Sequence, residues 1–116
     1  MIPVAVRQGA LLTDSAVAYY TVPAGDNKLK YIQLTGMRFC NTGAADVNVD
    51  VYIVPKNASA EDRYLRFSSL TIEGNASGNA PAYFIMNDVL LPGATIQAVC
   101  TTSGVVAISA AGIQYP

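Results

Sequence analysis

The chain has 116 residues, 52% of them hydrophobic and 13% charged, with 7 Lys plus Arg against 8 Asp plus Glu and a formal net charge of -1. With no His, it excludes a Ser-His-Asp or Cys-His triad, an imidazole general base and a His-ligated metal within one chain. The near-neutral balance also lacks the basic footprint that holds phosphate backbones, so no nucleic-acid partner is expected.

Taken in order, the chain opens on an apolar stretch, Met1 to Leu12, broken only by Arg7, Gln8 and Gly9. It lacks the basic start and long apolar run of a secretory signal. No part of the chain approaches the ~18 apolar residues of a membrane span, so no membrane partner is expected. An apolar arm of about residues 1–12 is costly in water. It either forms a strand of its own domain, near 3–7, or adds to the edge of a neighbour's sheet. Ile2, Val4 and Val6 are therefore candidate partner contacts. A second strand near 16–22 carries Tyr19-Tyr20, whose rings point to opposite faces, so that one enters the core and the other is available for contact.

A third strand near 29–40 changes phase. Ile32 and Leu34 share one parity, Met37 and Phe39 the other, and Gly36 sits where a β-bulge shifts the register by one residue. Val47, Val49, Val51 and Ile53 alternate with polar residues over 47–54, as in a strand with one buried face. Ser59-Ala60-Glu61-Asp62 resembles a capping box and permits a turn or short helix, and the chain from Tyr64 to Ile72 reads as a strand. Further strands fall near 82–87, 94–101 and 105–114. The last is small and β-branched throughout, as in a strand covered on both faces. Two connections read as hairpins, Asn41 to Asp46 and Thr102-Ser103-Gly104, the latter with Gly104 suited to a left-handed position. Val22-Pro23-Ala24-Gly25 and Leu91-Pro92-Gly93-Ala94 are similar strand-ending turns.

About eight short strands in one domain spanning 1–116 predict an all-β fold, a two-sheet antiparallel sandwich that is jelly-roll-like. The immunoglobulin-like sandwich is the rival, without its Trp.

Chemical motifs are few. The eight carboxylates fall mostly in turns, where Asp bonds local backbone. Asp46, Asp50 and Asp88 have the ligand type of a calcium site but not the spacing of a calcium loop. Gly74-Asn75-Ala76-Ser77-Gly78-Asn79 lacks the Lys of a phosphate loop. Cys40 and Cys100 read as buried free thiols, with a disulfide open if their strands are neighbours. No catalytic residue, cofactor or metal is assigned, and the chain is not expected to be an enzyme. Tyrosine is the overused residue, 7 against 3 Phe. Its apolar ring and polar tip suit interfaces, making Tyr19, Tyr20, Tyr64 and Tyr115 candidate contacts.

Charge this sparse leaves a surface that a partner can cover, which predicts a homo-oligomer or a larger assembly. The order Tyr20-Thr21-Val22-Pro23-Ala24-Gly25, then Arg38-Phe39-Cys40-Asn41-Thr42-Gly43, then Val47 to Pro55, then Leu91-Pro92-Gly93-Ala94-Thr95-Ile96 and Ala110 to Gln114 resembles small all-β virion proteins of tailed bacteriophages. In these a "YTVPAG" turn opens a strand ending near "NT", and an "LPG-x-x-I" turn opens the final hairpin. The resemblance spans roughly residues 17–114. It implies a capsid decoration or cement protein located in the virion, a dimer or trimer partnered by the major capsid protein or other virion proteins. Its alternative is a tail, head–tail junction or fibre component, with a carbohydrate-binding tip as one form. It carries over no catalytic residue.

Overall fold

The structure, a computed structural model, describes residues 2–24, 30–74 and 81–116. Eight strands form: β1 (Ile2–Leu11), β2 (Val17–Thr21), β3 (Tyr31–Asn41), β4 (Val47–Val54), β5 (Leu65–Ile72), β6 (Ala82–Leu90), β7 (Thr95–Cys100) and β8 (Val106–Tyr115). The one helical element among the described residues is a single 3-10 turn, Asp62–Tyr64, closed by Tyr64 N–H donating to the Glu61 carbonyl at 2.9 Å. Glu61 precedes it but makes no side-chain cap, so the capping-box resemblance comes down to one turn.

Pairing is nested. β1 pairs with β8, β2 with β7, β3 with β6 and β4 with β5, all antiparallel. β8 also pairs with β3, and β7 with β4. The result is two antiparallel four-stranded sheets, β1-β8-β3-β6 and β2-β7-β4-β5. Every sequential connection except β4 to β5 therefore passes from one sheet to the other.

This overturns both expected hairpins. Asn41 to Asp46 carries the chain from β3 to β4, which lie in different sheets, and Thr102-Ser103-Gly104 carries it from β7 to β8, again across the sandwich. A turn that reverses the chain within a sheet and an arch between sheets use the same Gly and Asn chemistry, so local residues do not separate them. Gly104 does take the left-handed backbone, at φ 81°.

The core is built by alternation. Ile32, Leu34, Met37 and Phe39 of β3 face Val49 and Val51 of β4 and Ile96 and Ala98 of β7 across the sandwich. The phase change at Gly36 is a register shift between Leu34 and Gly36 on both sides of β3. In β4 the alternation holds to Val51, after which a shift leaves Ile53 half-buried and puts Val54 inside. Phe39, Phe67 and Phe84 pack edge-on and tilted, with centroids 4.9–6.4 Å apart, and close the β5–β6 side of the sandwich.

β8 departs from its double-covered expectation. Val106, Ile108 and Ala110 are buried, but Ala107 and Ser109 are half-buried and Ala111 is exposed. Its small residues cover one side and leave the other bare.

The two similar proline turns lie side by side. Leu91 to Ala94 forms a type II turn, with Gly93 at φ 87° and Ala94 N–H donating to the Leu91 carbonyl at 3.0 Å. Gly93 N–H then donates to the Val22 carbonyl, and Val22 N–H to the Ala94 carbonyl, each at 2.9 Å. Gly25 of the first turn, and the loop Asn75-Ala76-Ser77-Gly78-Asn79, lie outside the described residues.

Candidate assembly face

The two outer faces of the sandwich differ in chemistry. Over β2-β7-β4-β5 many outward residues are polar and bonded to one another, with Val17 of β2 exposed among them. Thr71 donates to Asn48 Oδ1 at 2.9 Å, Gln97 to Thr95 Oγ1 at 3.0 Å, and Ser69 N–H to Asp50 Oδ1 at 2.6 Å. Tyr52 lies on this face, and burial together with the Asp50 and Asp62 carboxylates pushes its phenol up from its ordinary value.

Over β1-β8-β3-β6 the face is largely apolar or small. The edge strand β6 turns Tyr83, Ile85 and Val89 outward, 63%, 86% and 56% exposed, and Leu91 follows at 63%. Asn87 interrupts this run and is bonded to the Gln33 amide. A hollow of about 340 Å³ continues the patch at one end, lined by Val89, Leu91, Pro92, Ile53 and Pro55 with Lys56 at its wall.

Charge on this sheet is one-sided. Its four strands contain a single acid, Asp88, which takes Arg66 Nε of β5 at 2.8 Å across the sandwich edge. They contain two cations, Arg7 and Arg38, both exposed and neither in an ion pair among the described residues. Pairing brings them close across β8, one residue out of line: Arg7 lies opposite Ala110, and Arg38 opposite Ser109 and Tyr83. Beside them, Gly9 at φ 61° sits in a bulge of β1 and donates its N–H to Ser109 Oγ at 3.0 Å. Tyr83 lies over Gly36, where a Cβ would meet its hydroxyl at 2.5 Å. A hollow of about 420 Å³ lies among these residues, with both Arg7 and Arg38 in its lining.

The candidates named from sequence are scattered. Ile2 and Val4 lie in β1, paired to Gln114 and Gly112 of the chain's own β8; Val6 lies in the same strand, and the side chains of all three lie outside the described residues. The arm thus forms a strand of its own sheet. Tyr19 is buried in the core, and its hydroxyl is the one buried side-chain polar atom without a hydrogen bond among the described residues. Tyr20 is half-buried against the core, and burial pushes its phenol up. Tyr64 is half-buried beneath the Arg63 guanidinium, 4.9 Å from its ring centroid. Tyr115 stacks on Tyr31 at 4.7 Å and donates to Gln33 Oε1 at 3.2 Å. None of these tyrosines belongs to the exposed patch.

The patch residues Tyr83, Ile85, Val89 and Leu91, and the pair Arg7 and Arg38, were not singled out from sequence. Their signal was there for β6, whose apolar residues occupy both parities and so cannot all turn inward. For the arginines the signal was two lone charges in otherwise uncharged strands.

Asp46 accepts from Gly74 N–H at 3.1 Å, and Asp50 and Asp88 are engaged as described. No group of three His, Cys, Asp or Glu among the described residues is placed to hold a metal ion. Cys40 and Cys100 are free thiols in different sheets. Burial pushes the Cys100 thiol up, and the Asp14 carboxylate adds to this against an opposing backbone hydrogen bond at Thr102. No helix among the described residues is long and apolar enough to cross a membrane.

No protein-family model, curated protein or solved structure matches the chain.

Proposed function

We propose that this chain is a structural protein of a bacteriophage virion, a decoration protein that binds the assembled head and stabilises it. The observation that carries the assembly reading is the bare apolar run of Tyr83, Ile85 and Val89 on edge strand β6 with Leu91 just beyond it. Single exposed apolar residues are ordinary, but four along one open edge, continued by a hollow, mark a surface meant for protein contact. The small outward residues of β8 favour the same face, since they let another surface approach closely.

The strand order supports a jelly-roll reading of the sandwich. Nested pairs folded over into two sheets are what a jelly roll requires, and that architecture hosts viral capsid domains and lectins among others. At the level of fold this is analogy. The virion assignment itself rests on the motif resemblance over residues 17–114.

A decoration protein acts without chemistry. It buries surface available only in the assembled particle, and so stabilises the assembled state by mass action. Symmetric self-association into a dimer or trimer would multiply its contacts. Particles carrying the protein should disrupt at a higher temperature than particles lacking it. Equal disruption temperatures would overturn the decoration role. Binding of the purified chain to tail or fibre proteins instead of heads would move it to the alternative virion location.

A further inference from the structure

We propose that the hollow lined by Arg7 and Arg38 is a docking site for a carboxylate-rich segment of a protein partner. This deepens the assembly reading by naming the chemistry of the surface that meets this face.

The site presents donors without an acid. Arg7 on β1 and Arg38 on β3 flank β8, two strand spacings or about 10 Å apart. That separation suits two acidic side chains on one extended segment, or one carboxylate held by each guanidinium in bidentate fashion. Ser109 accepts from Gly9 N–H, which leaves its own O–H free to donate into the hollow. Tyr83 supplies a further hydroxyl at the wall. The only acid in the sheet, Asp88, is engaged by Arg66 and does not line the hollow. Ala111 keeps the floor low beside Gly36, which Tyr83 covers, so an incoming main chain can approach the sheet along β8.

Two observations favour a peptide over other anions. The cationic pair adjoins the exposed apolar run of β6 through Tyr83, and a guanidinium beside an aromatic on an apolar surface is the composition of protein-contact hot spots. Two cations are also too few for a nucleic-acid backbone, whose affinity grows with the number of phosphates neutralised.

The test is a titration of the isotope-labelled full chain, followed by backbone amide shifts, with a glutamate-rich decapeptide and its glutamine counterpart as probes. The glutamate peptide should move the amides of Gly9, Arg38 and Ser109 in a saturable way, weaken with added salt, and bind about tenfold less tightly to each of Arg7→Gln and Arg38→Gln. Both side chains are exposed, and retained shift dispersion shows that the variants fold. Equal shifts with the glutamine peptide, or none at these amides, would overturn the site. Inorganic phosphate binding as tightly as the peptide would overturn the peptide assignment in favour of a small-anion site. A sialylated oligosaccharide binding in its place would do so in favour of a glycan. The readout is independent of particle stability, so a failed decoration role and a failed docking site remain distinguishable.

Discussion

Asn41 and Tyr19 are both polar and both buried, and they affect stability in opposite directions. The Asn41 amide donates to the carbonyls of Ala45 at 2.8 Å and Ile72 at 3.0 Å, while its oxygen accepts from Gly43 N–H at 2.9 Å. It thereby ties the end of β3 to β5 in the opposite sheet. Replacing it leaves buried backbone groups without partners, which costs more than the bonds themselves. Asn41→Ala should lose about 3 kcal/mol in urea unfolding at unchanged m-value. The Tyr19 hydroxyl, by contrast, is buried without a bond. Tyr19→Phe removes that unmet group while keeping the ring, and should leave stability unchanged or raise it by up to about 1 kcal/mol. A clear loss would show that the hydroxyl is satisfied in solution. Neither role can be read along the chain. Asn41 looks like an ordinary turn residue, because its partner Ile72 is brought near only by the sheet-to-sheet crossing.

At the scale of elements, β8 and β3 are the two inner strands of their sheet, each paired on both sides. Gly112 lies opposite Leu34 on β3: a Cβ there would meet the Gln33 carbonyl oxygen at 2.7 Å and Ile32 Cγ2 at 3.2 Å. The obstacle on β3 is backbone, which cannot swing aside. Gly112→Ala should therefore cost about 2 kcal/mol and lower the thermal midpoint, whereas the open site at Gly104 clashes with nothing and is restricted only by its positive φ. The strands themselves were legible because alternation survives in a linear reading, and even the β3 bulge announced itself as a change of parity at Gly36. Which sheet each strand joins was not legible. The arches at 41–46 and 102–104 look like hairpins because the pairing that distinguishes them joins β1 to β8 and β2 to β7 across most of the chain. The cationic pair was hidden for the same reason, since Arg7 and Arg38 become neighbours only through β8.

For the molecule as a whole, the titrating groups among the described residues that depart from their ordinary values are pushed one way. Burial raises Tyr20; burial and then the Asp50 and Asp62 carboxylates raise Tyr52; burial chiefly raises Cys100. A raised value means the folded chain keeps protons that the unfolded chain has released. The resulting stability is complete below the unfolded values, about 9 for the thiol and about 10 for the phenols, and is lost as pH rises through the folded ones. Thermal midpoints measured upward from neutral pH should hold steady and then fall in the alkaline range. The paired change Tyr20→Phe and Tyr52→Phe should flatten that fall. An identical alkaline decline in the double variant would assign the loss to other groups.

The nested pairing also bears on how the chain is made. β1 leaves the ribosome about 100 residues ahead of the strand it pairs with, a gap of about 5–20 s at ordinary synthesis rates. β2 and β3 likewise wait for β7 and β6. Until β6 emerges, β1, β2 and β3 have no native strand partner, and neither sheet can be completed before β7. Folding is thus deferred until synthesis of the domain is nearly complete, and a holding chaperone that binds extended apolar segments has its natural substrate in the first three strands.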